Sequence, residues 1–219
     1  MANAARNIFL EYRSLLIFII LMSVFRSSLA DWNSVPTGSM KPTIVEGDRI
    51  VINKLAYDLK IPFSDVSIAK LGEPERGDII IFNSEVSQKR LVKRVVALPG
   101  DVVSMKDNVL IINEEKLEYT NSDSSDPSLS STDLIENLLG VEYSIRISNR
   151  PTRASSFKAI EVPKDMYLAL GDNRDNSVDS RFIGFIPRHE IIGRSRRVAM
   201  SFDYQDYYLL RKERFFKKL

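Results

Sequence analysis

The sequence predicts an all-β protein, a sandwich or partly open barrel of antiparallel sheets with a smaller inserted region, led by a single N-terminal apolar segment. Three observations predict it. Segments of five to eight residues, rich in β-branched side chains, recur between turn residues at regular spacing. Helix signals are few. One long apolar run stands alone at the start of the chain. At 219 residues, with 44% hydrophobic and 27% charged residues, the chain suits one domain, or one domain with a large insertion.

The N-terminal run is "LLIFIILMSVF", residues 15–25, shorter than the about 20 residues a spanning helix needs. Extended to residues 8–29 it reaches that length, but it takes in Glu11, Arg13 and Arg26. These lie near its ends, where long side chains reach the headgroups. Three readings stay open at this point. The first thirty residues form a retained anchor. They form a cleaved leader, with Arg6 and Arg13 as its basic region and "SLA", ending at Ala30, as its cut site. Or they form a helix of the core. The first two send the rest of the chain across a membrane.

Strands follow in order. "DRIVINKLAY" comes after Gly47 and "GDIIIFN" after Arg76, and "RLVKRVVAL" runs into the turn "PGD" at residues 99–101. "DVVSM", "NVLIINEEKL", "MYLALGD" and "GRSRRVAMSF" continue the pattern. The best helix signal is "STDLIENLLG", residues 131–140, with a Ser/Thr start, Glu136 and a glycine stop. Residues 119–132 are polar, Ser-rich and without periodicity. The β core is therefore assigned to residues 31–112 and 163–205, with an insertion at 113–162 and a basic aromatic tail at 206–219. That tail reads either as an amphipathic helix on anionic lipid or as a solvated basic end.

Composition removes several chemistries. There is no cysteine, which excludes a disulfide scaffold, a thiol nucleophile and a cysteine zinc site. His189 is the one histidine, so a paired-histidine metal motif is impossible. It lies among charged residues in "IPRHEII", where a solvated loop residue is the simpler account than a member of a Ser–His–Asp triad. A net charge of +2 gives no global sign of a nucleic-acid partner.

The remaining nucleophile chemistry centres on "PTGSMKPT", residues 36–43. Prolines and a glycine make it rigid and irregular. Ser39 is either a turn residue or a nucleophile. Alternation along "LVKRVVAL" puts Lys93 on one face with Leu91, Val95 and Ala97, and puts Val92, Arg94, Val96 and Leu98 on the other. A lysine among apolar neighbours either snorkels out at a strand edge or loses basicity by burial. To act as a base it must fall from about 10.4 to about 7–8, roughly 4 kcal/mol of differential desolvation. A serine hydroxyl needs such a base, and neutral lysine serves where histidine does not. Thr37 and the Ser39 N–H, left open by Gly38, are candidate oxyanion donors. "SIAK", residues 67–70, has the Ser-x-x-Lys spacing but lacks the S-D-N and K-T-G partners of that motif, and is taken as a chance match. "GDNRDNSVDSR", residues 171–181, fails as a calcium loop, because serine stands where glycine is needed and arginines intrude. An Asp–Arg network that orders the loop fits better, with Ser177 as a hydroxyl able to orient a lysine.

These stretches together strongly resemble the bacterial type I signal peptidases. "PTGSMKPT" with "EGDRIVINKLAY", "RGDIIIF", "LVKRVVALPGD" and "GDNRDNSVDSRFIGFIP" occur in that family's order and cover most of the chain. The resemblance implies an all-β fold with one N-terminal membrane helix and the site on a sheet surface near the membrane. It implies Ser39 as nucleophile and Lys93 as general base. Thr37 falls where the family often has serine, whose hydroxyl helps form the oxyanion hole, and its extra methyl changes the rotamers open to it. Ser177 matches the hydroxyl that positions the lysine, and Arg94, Asp179 and Arg181 match a supporting ion-pair network. No cofactor or metal is implied.

The implied substrates are preprotein signal peptides, bound as an extended strand and cut after small-x-small motifs. By position, Val35, Met40, Ile44, Leu91 and Val92 would line the pockets. The implied location is the bacterial inner (plasma) membrane, single-pass, with the lipid bilayer as partner and the catalytic domain on the extracytoplasmic side. Alternatives are a pilin or conjugation peptidase of the same clan, a self-cleaving SOS-response repressor, and a membrane-anchored binding module without catalysis. The 113–162 insertion has no counterpart in the resemblance, and the oligomeric state is left open.

Overall fold

The computed structural model describes residues 2–64, 66–122, 130–150 and 152–219. It opens with α1 (Ala2–Ser28), 27 residues and therefore about 40 Å long. Its apolar side chains from Leu15 to Leu21 are exposed. Among the described residues no helix is long and apolar enough to cross a membrane. The expected helix is thus present, while its spanning character is not carried by the structure. Lys54 Nζ closes the helix by donating to Arg26 O at 2.7 Å and Ser27 O at 3.0 Å.

The rest is antiparallel β-structure. β1 (Ala30–Ser34) pairs with β2 (Asp48–Asn53), whose alternating pattern buries Ile50 and Ile52. β3 (Asp58–Lys60) and β4 (Ser67–Lys70) form a two-stranded sheet. The segment taken as a chance Ser-x-x-Lys match is a strand, with Ser67 bonded to Asp58 rather than to Lys70. β5 (Ile79–Ser84) is buried on both faces from Ile79 to Phe82, as befits a central strand. It pairs with β6 (Lys89–Ala97) in continuous register.

β7 (Val102–Lys106), β8 (Val109–Ile112) and β9 (Glu115–Lys116) make a meander. β10 (Glu118–Asn121), β11 (Ser131–Leu138) and β12 (Val141–Ser148) form a separate three-stranded sheet. β13 (Phe157–Glu161) returns to pair with β7. β14 (Met166–Leu170) lies beside β6, and the short helix α2 (Ser180–Ile183) follows it. β15 (Ile186–Pro187), β16 (Ile191–Ser195), β17 (Val198–Asp203) and β18 (Leu209–Leu210) complete the main sheet. That sheet has nine strands, in the order β15-β14-β6-β5-β16-β2-β17-β18, with β1 added to β2.

Three sequence expectations are corrected. Residues 131–140 are not a helix. Residues 131–138 form β11, which pairs with β12 over its whole length, and the glycine read as a helix stop lies in the hairpin turn. Leu139 and Gly140 both take positive φ, at 51° and 97°, as a two-residue type I′ turn requires. The ladder to a β-branched partner outweighs a weak helix propensity. The tail is not an amphipathic helix either. Leu209–Leu210 pair with β17, Arg214 bonds Asp48 at 2.5 Å, and Leu219 packs on the core. Lastly, strict alternation fails at the end of β6. A register shift against β14 sends Leu98 to the cluster of Leu91 and Val95, and Ala97 to a different one.

Of the polar stretch 119–132, residues 123–129 lie outside the described residues. The rest of 113–162 shares a core with its neighbours: Leu138, Tyr143 and Ile145 pack with Val96, Ala97, Leu168 and Leu170. A second cluster, holding Val35, Met40, Ile44, Ile50, Ile52, Ile79 and Ile81, seats the "PTGSMKPT" segment on the sheet.

Candidate active site

Packing fixes the serine. Gly38–Met40 make a single helical turn, entered from an extended Thr37. The turn drives Met40 fully into the second cluster beside Val35 and Ile44, leaving Ser39 partly accessible. Thr37 is exposed, and its side chain makes no capping bond.

Lys93 arrives from the opposite direction. It sits on β6, flanked by β5 and β14, and is 2% exposed. Its Nζ donates to Ser39 Oγ at 2.8 Å and to Val92 O at 3.0 Å. Burial pulls its pKa down to about 8. Asp179 and Asp172 oppose that fall, and the Arg181 charge adds to it. In the neutral form the amine lone pair can accept the Ser39 proton across the same contact.

The "GDNRDNSVDSR" loop encloses this pair. Arg94, next to Lys93 on the strand, points away from the serine. It forms a bidentate pair with Asp172 at 2.9 and 2.8 Å and also donates to Gly77 O. Asp179 is fully buried, accepts from the Gly171 N–H at 3.0 Å, and pairs with Arg181 at 2.7 Å. Gly171 is crowded. A Cβ there would collide with the Ser177 side chain and with Ser39 O, so only glycine lets the loop come this close. Ser177 Oγ is buried without a hydrogen-bond partner among the described residues. It lies against Gly171 and does not bond Lys93.

The structure therefore brings Ser39, Lys93 and Ser177 to one spot. It keeps Arg94, Asp179 and Arg181 as loop supports. Of the pocket residues expected by position, Val35, Met40, Ile44 and Val92 share one cluster, while Leu91 packs elsewhere with Tyr57, Phe82 and Val95. Met40 and Ile44 have no exposure, so they form a floor rather than a wall. Gly171 and Asp172 were not singled out from sequence. The Asp172 side chain depends on Arg94, 78 residues away in the chain, which no local pattern signals.

His189 takes no part in this pair. It lies near Glu85 and Glu190, the one group of metal-ligand types among the described residues whose candidate donor atoms all lie within 4.8 Å of each other. Its contact to Glu85 is 3.8 Å, and both of those side chains are largely exposed.

A pH dependence is expected if Lys93 acts as the base. Only neutral Lys93 can take a proton, and that form grows as pH rises through about 8. The expected profile of kcat/KM against pH rises through a midpoint near 8 and levels above it. A flat profile between pH 6 and 10 would contradict this.

Comparisons with known proteins converge. A family model described as signal peptidase, peptidase S26, matches residues 9–200. Signal peptidase I of Pseudomonas fluorescens is 37% identical over 198 residues, which cover 84% of this chain and 69% of that protein. Signal peptidase I of Pseudomonas aeruginosa is 35% identical with the same coverage. Signal peptidase I T of Bacillus subtilis is 33% identical over 204 residues, 92% of this chain and 91% of that protein.

Proposed function

The chain belongs to the signal peptidase family, peptidase S26, and from that membership we propose that it removes signal peptides through an acyl-enzyme formed on Ser39, with Lys93 as the base. The observation that carries the dyad is the 2.8 Å contact between Lys93 Nζ and Ser39 Oγ, with the lysine buried and its basicity lowered.

Neutral Lys93 takes the Ser39 proton as Oγ attacks the scissile carbonyl. The Ser39 N–H and the Thr37 hydroxyl hold the oxyanion. The C–N bond breaks, and Lys93 returns its proton to the leaving amine. Water, deprotonated by Lys93, then attacks the ester and frees Ser39 and the signal peptide. Ser177, whose buried Oγ has no hydrogen-bond partner among the described residues, is the hydroxyl available to orient Lys93. Val35, Met40, Ile44 and Val92 share one packed cluster under the turn that carries Ser39, and this floor favours small side chains at the cleavage point. Arg94, Asp179 and Arg181 keep the loop closed over the lysine.

The exposed apolar side chains of α1 support attachment to a bilayer, and the extracytoplasmic placement of the β-domain rests on the family membership alone. A mature N-terminus at Asp31 would rule out the retained anchor.

The test is cleavage of a preprotein whose signal peptide ends in a small-x-small motif, with Ser39→Ala as control. Cleavage by the control would exclude the serine mechanism. Thr37 gives a sharper check. Thr37→Val keeps shape but loses the hydroxyl, and kcat should drop about 10²–10³-fold. Thr37→Ser should stay close to the parent. Equal rates for all three chains would remove Thr37 from the oxyanion site.

A further inference from the structure

Asn173 lies two residues beyond Gly171 and is buried. Its Nδ2 donates to Gly38 O at 2.9 Å, and its backbone N–H donates to Ser39 O at 3.0 Å. Gly38 O belongs to the peptide unit that carries the Ser39 N–H. That unit is trans and planar, so its C=O and N–H point in opposite directions. Gly38 O also accepts from the Lys41 N–H at 3.1 Å, so the turn and Asn173 together fix the carbonyl and turn the Ser39 N–H away from the loop. Among the described residues that N–H has no acceptor within the chain. It is a free donor held in one direction, which is what a developing oxyanion needs.

Asn173 is itself held. Its neighbour Asp172 is clamped by Arg94, and Asp172 O accepts from the Arg146 N–H of β12 at 2.8 Å. The residue type also fits. An amide donates without adding charge, whereas a carboxylate at this position could not donate and would add to the pull of Asp172 and Asp179 on Lys93.

We infer that Asn173 is a positioning residue for the oxyanion site, acting by orienting the Gly38–Ser39 peptide. This rests on Ser39 being the nucleophile. Asn173→Ala removes the side-chain donor, and Asn173→Asp replaces it with a near-isosteric acceptor facing a carbonyl.

The experiment compares kcat, KM and melting temperature. It also compares affinity for a small-x-small peptide aldehyde, whose adduct with Ser39 places an oxygen in the oxyanion site, with affinity for the matching peptide alcohol, which forms no adduct. For Asn173→Ala, kcat and aldehyde affinity should each fall about 10–100-fold, while KM and alcohol affinity stay within about twofold. The pH midpoint should remain that of the parent. Asn173→Asp should lose at least as much kcat. Unchanged kcat, equal loss of aldehyde and alcohol affinity, or unfolding of both variants would overturn the inference. Ser39→Ala runs alongside. If it still cleaves, or still prefers the aldehyde, the nucleophile assignment has failed instead.

Discussion

Lys93→Met should abolish signal-peptide cleavage while leaving the fold intact. Methionine matches the lysine in length and suits a buried strand position, but it cannot accept a proton. The loss should be about 10³–10⁴-fold in kcat/KM, because the serine then has no base within reach. Stability should move the other way. The fall in pKa from 10.5 to about 8 corresponds to about 3 kcal/mol of penalty on the charged form. Because the folded value is the lower one, the unfolded chain binds more protons between the two values, and stability rises with pH across that window. The penalty is thus fully present at pH 7, where native Lys93 is mostly charged, and methionine removes it. The melting temperature of Lys93→Met at pH 7 should be no lower than that of the parent. Near-normal cleavage would end the dyad proposal, and a large drop in melting temperature would show that burial of the charged lysine is not the dominant cost.

Glu136→Ala should be the most damaging of the substitutions away from the dyad. Glu136 has no exposure and Arg174 almost none, and they form a bidentate pair at 2.7 and 2.6 Å. The hydroxyls of Tyr119 and Tyr143 both donate to the same carboxylate. Burial alone would raise the Glu136 pKa, but the Arg174 charge and these bonds outweigh it and hold the carboxyl low. Removing the acid leaves a buried guanidinium without a counter-charge, which costs about 3–5 kcal/mol. Chemical denaturation should read a loss of that size. The pair Glu136→Leu with Arg174→Met should recover at least half of it, since apolar residues of similar volume replace buried ion pairs without loss. A double variant as unstable as Glu136→Ala would mean that the tyrosines, rather than the charge, set the cost.

These two sites mark how far the sequence could be read. Ser39 was legible because a rigid, glycine-opened turn is a local feature, and Lys93 because alternation along one strand put it among apolar neighbours. Each kept a second reading, as a turn residue and as a snorkelling lysine, until the family resemblance paired them. Glu136 was misassigned to a helix because its strand is stabilised by β12, a partner that local propensity does not register. Its ion pair joins β11 to Arg174 of the loop that carries Asp172, and a contact 38 residues apart leaves no periodic trace. The position of Leu98 was lost for a similar reason. A register shift against β14 depends on both strands, and the sequence of either one alone follows strict alternation.

The most direct measurement is the site of acylation. Acid quenching during turnover of an activated ester of a small-x-small peptide, followed by digestion and mass spectrometry, locates the covalent intermediate. The expected result is a single adduct on the fragment containing Ser39, absent from Ser39→Ala and strongly reduced in Lys93→Met. An adduct on another residue, or one that persists in Ser39→Ala, would contradict the account.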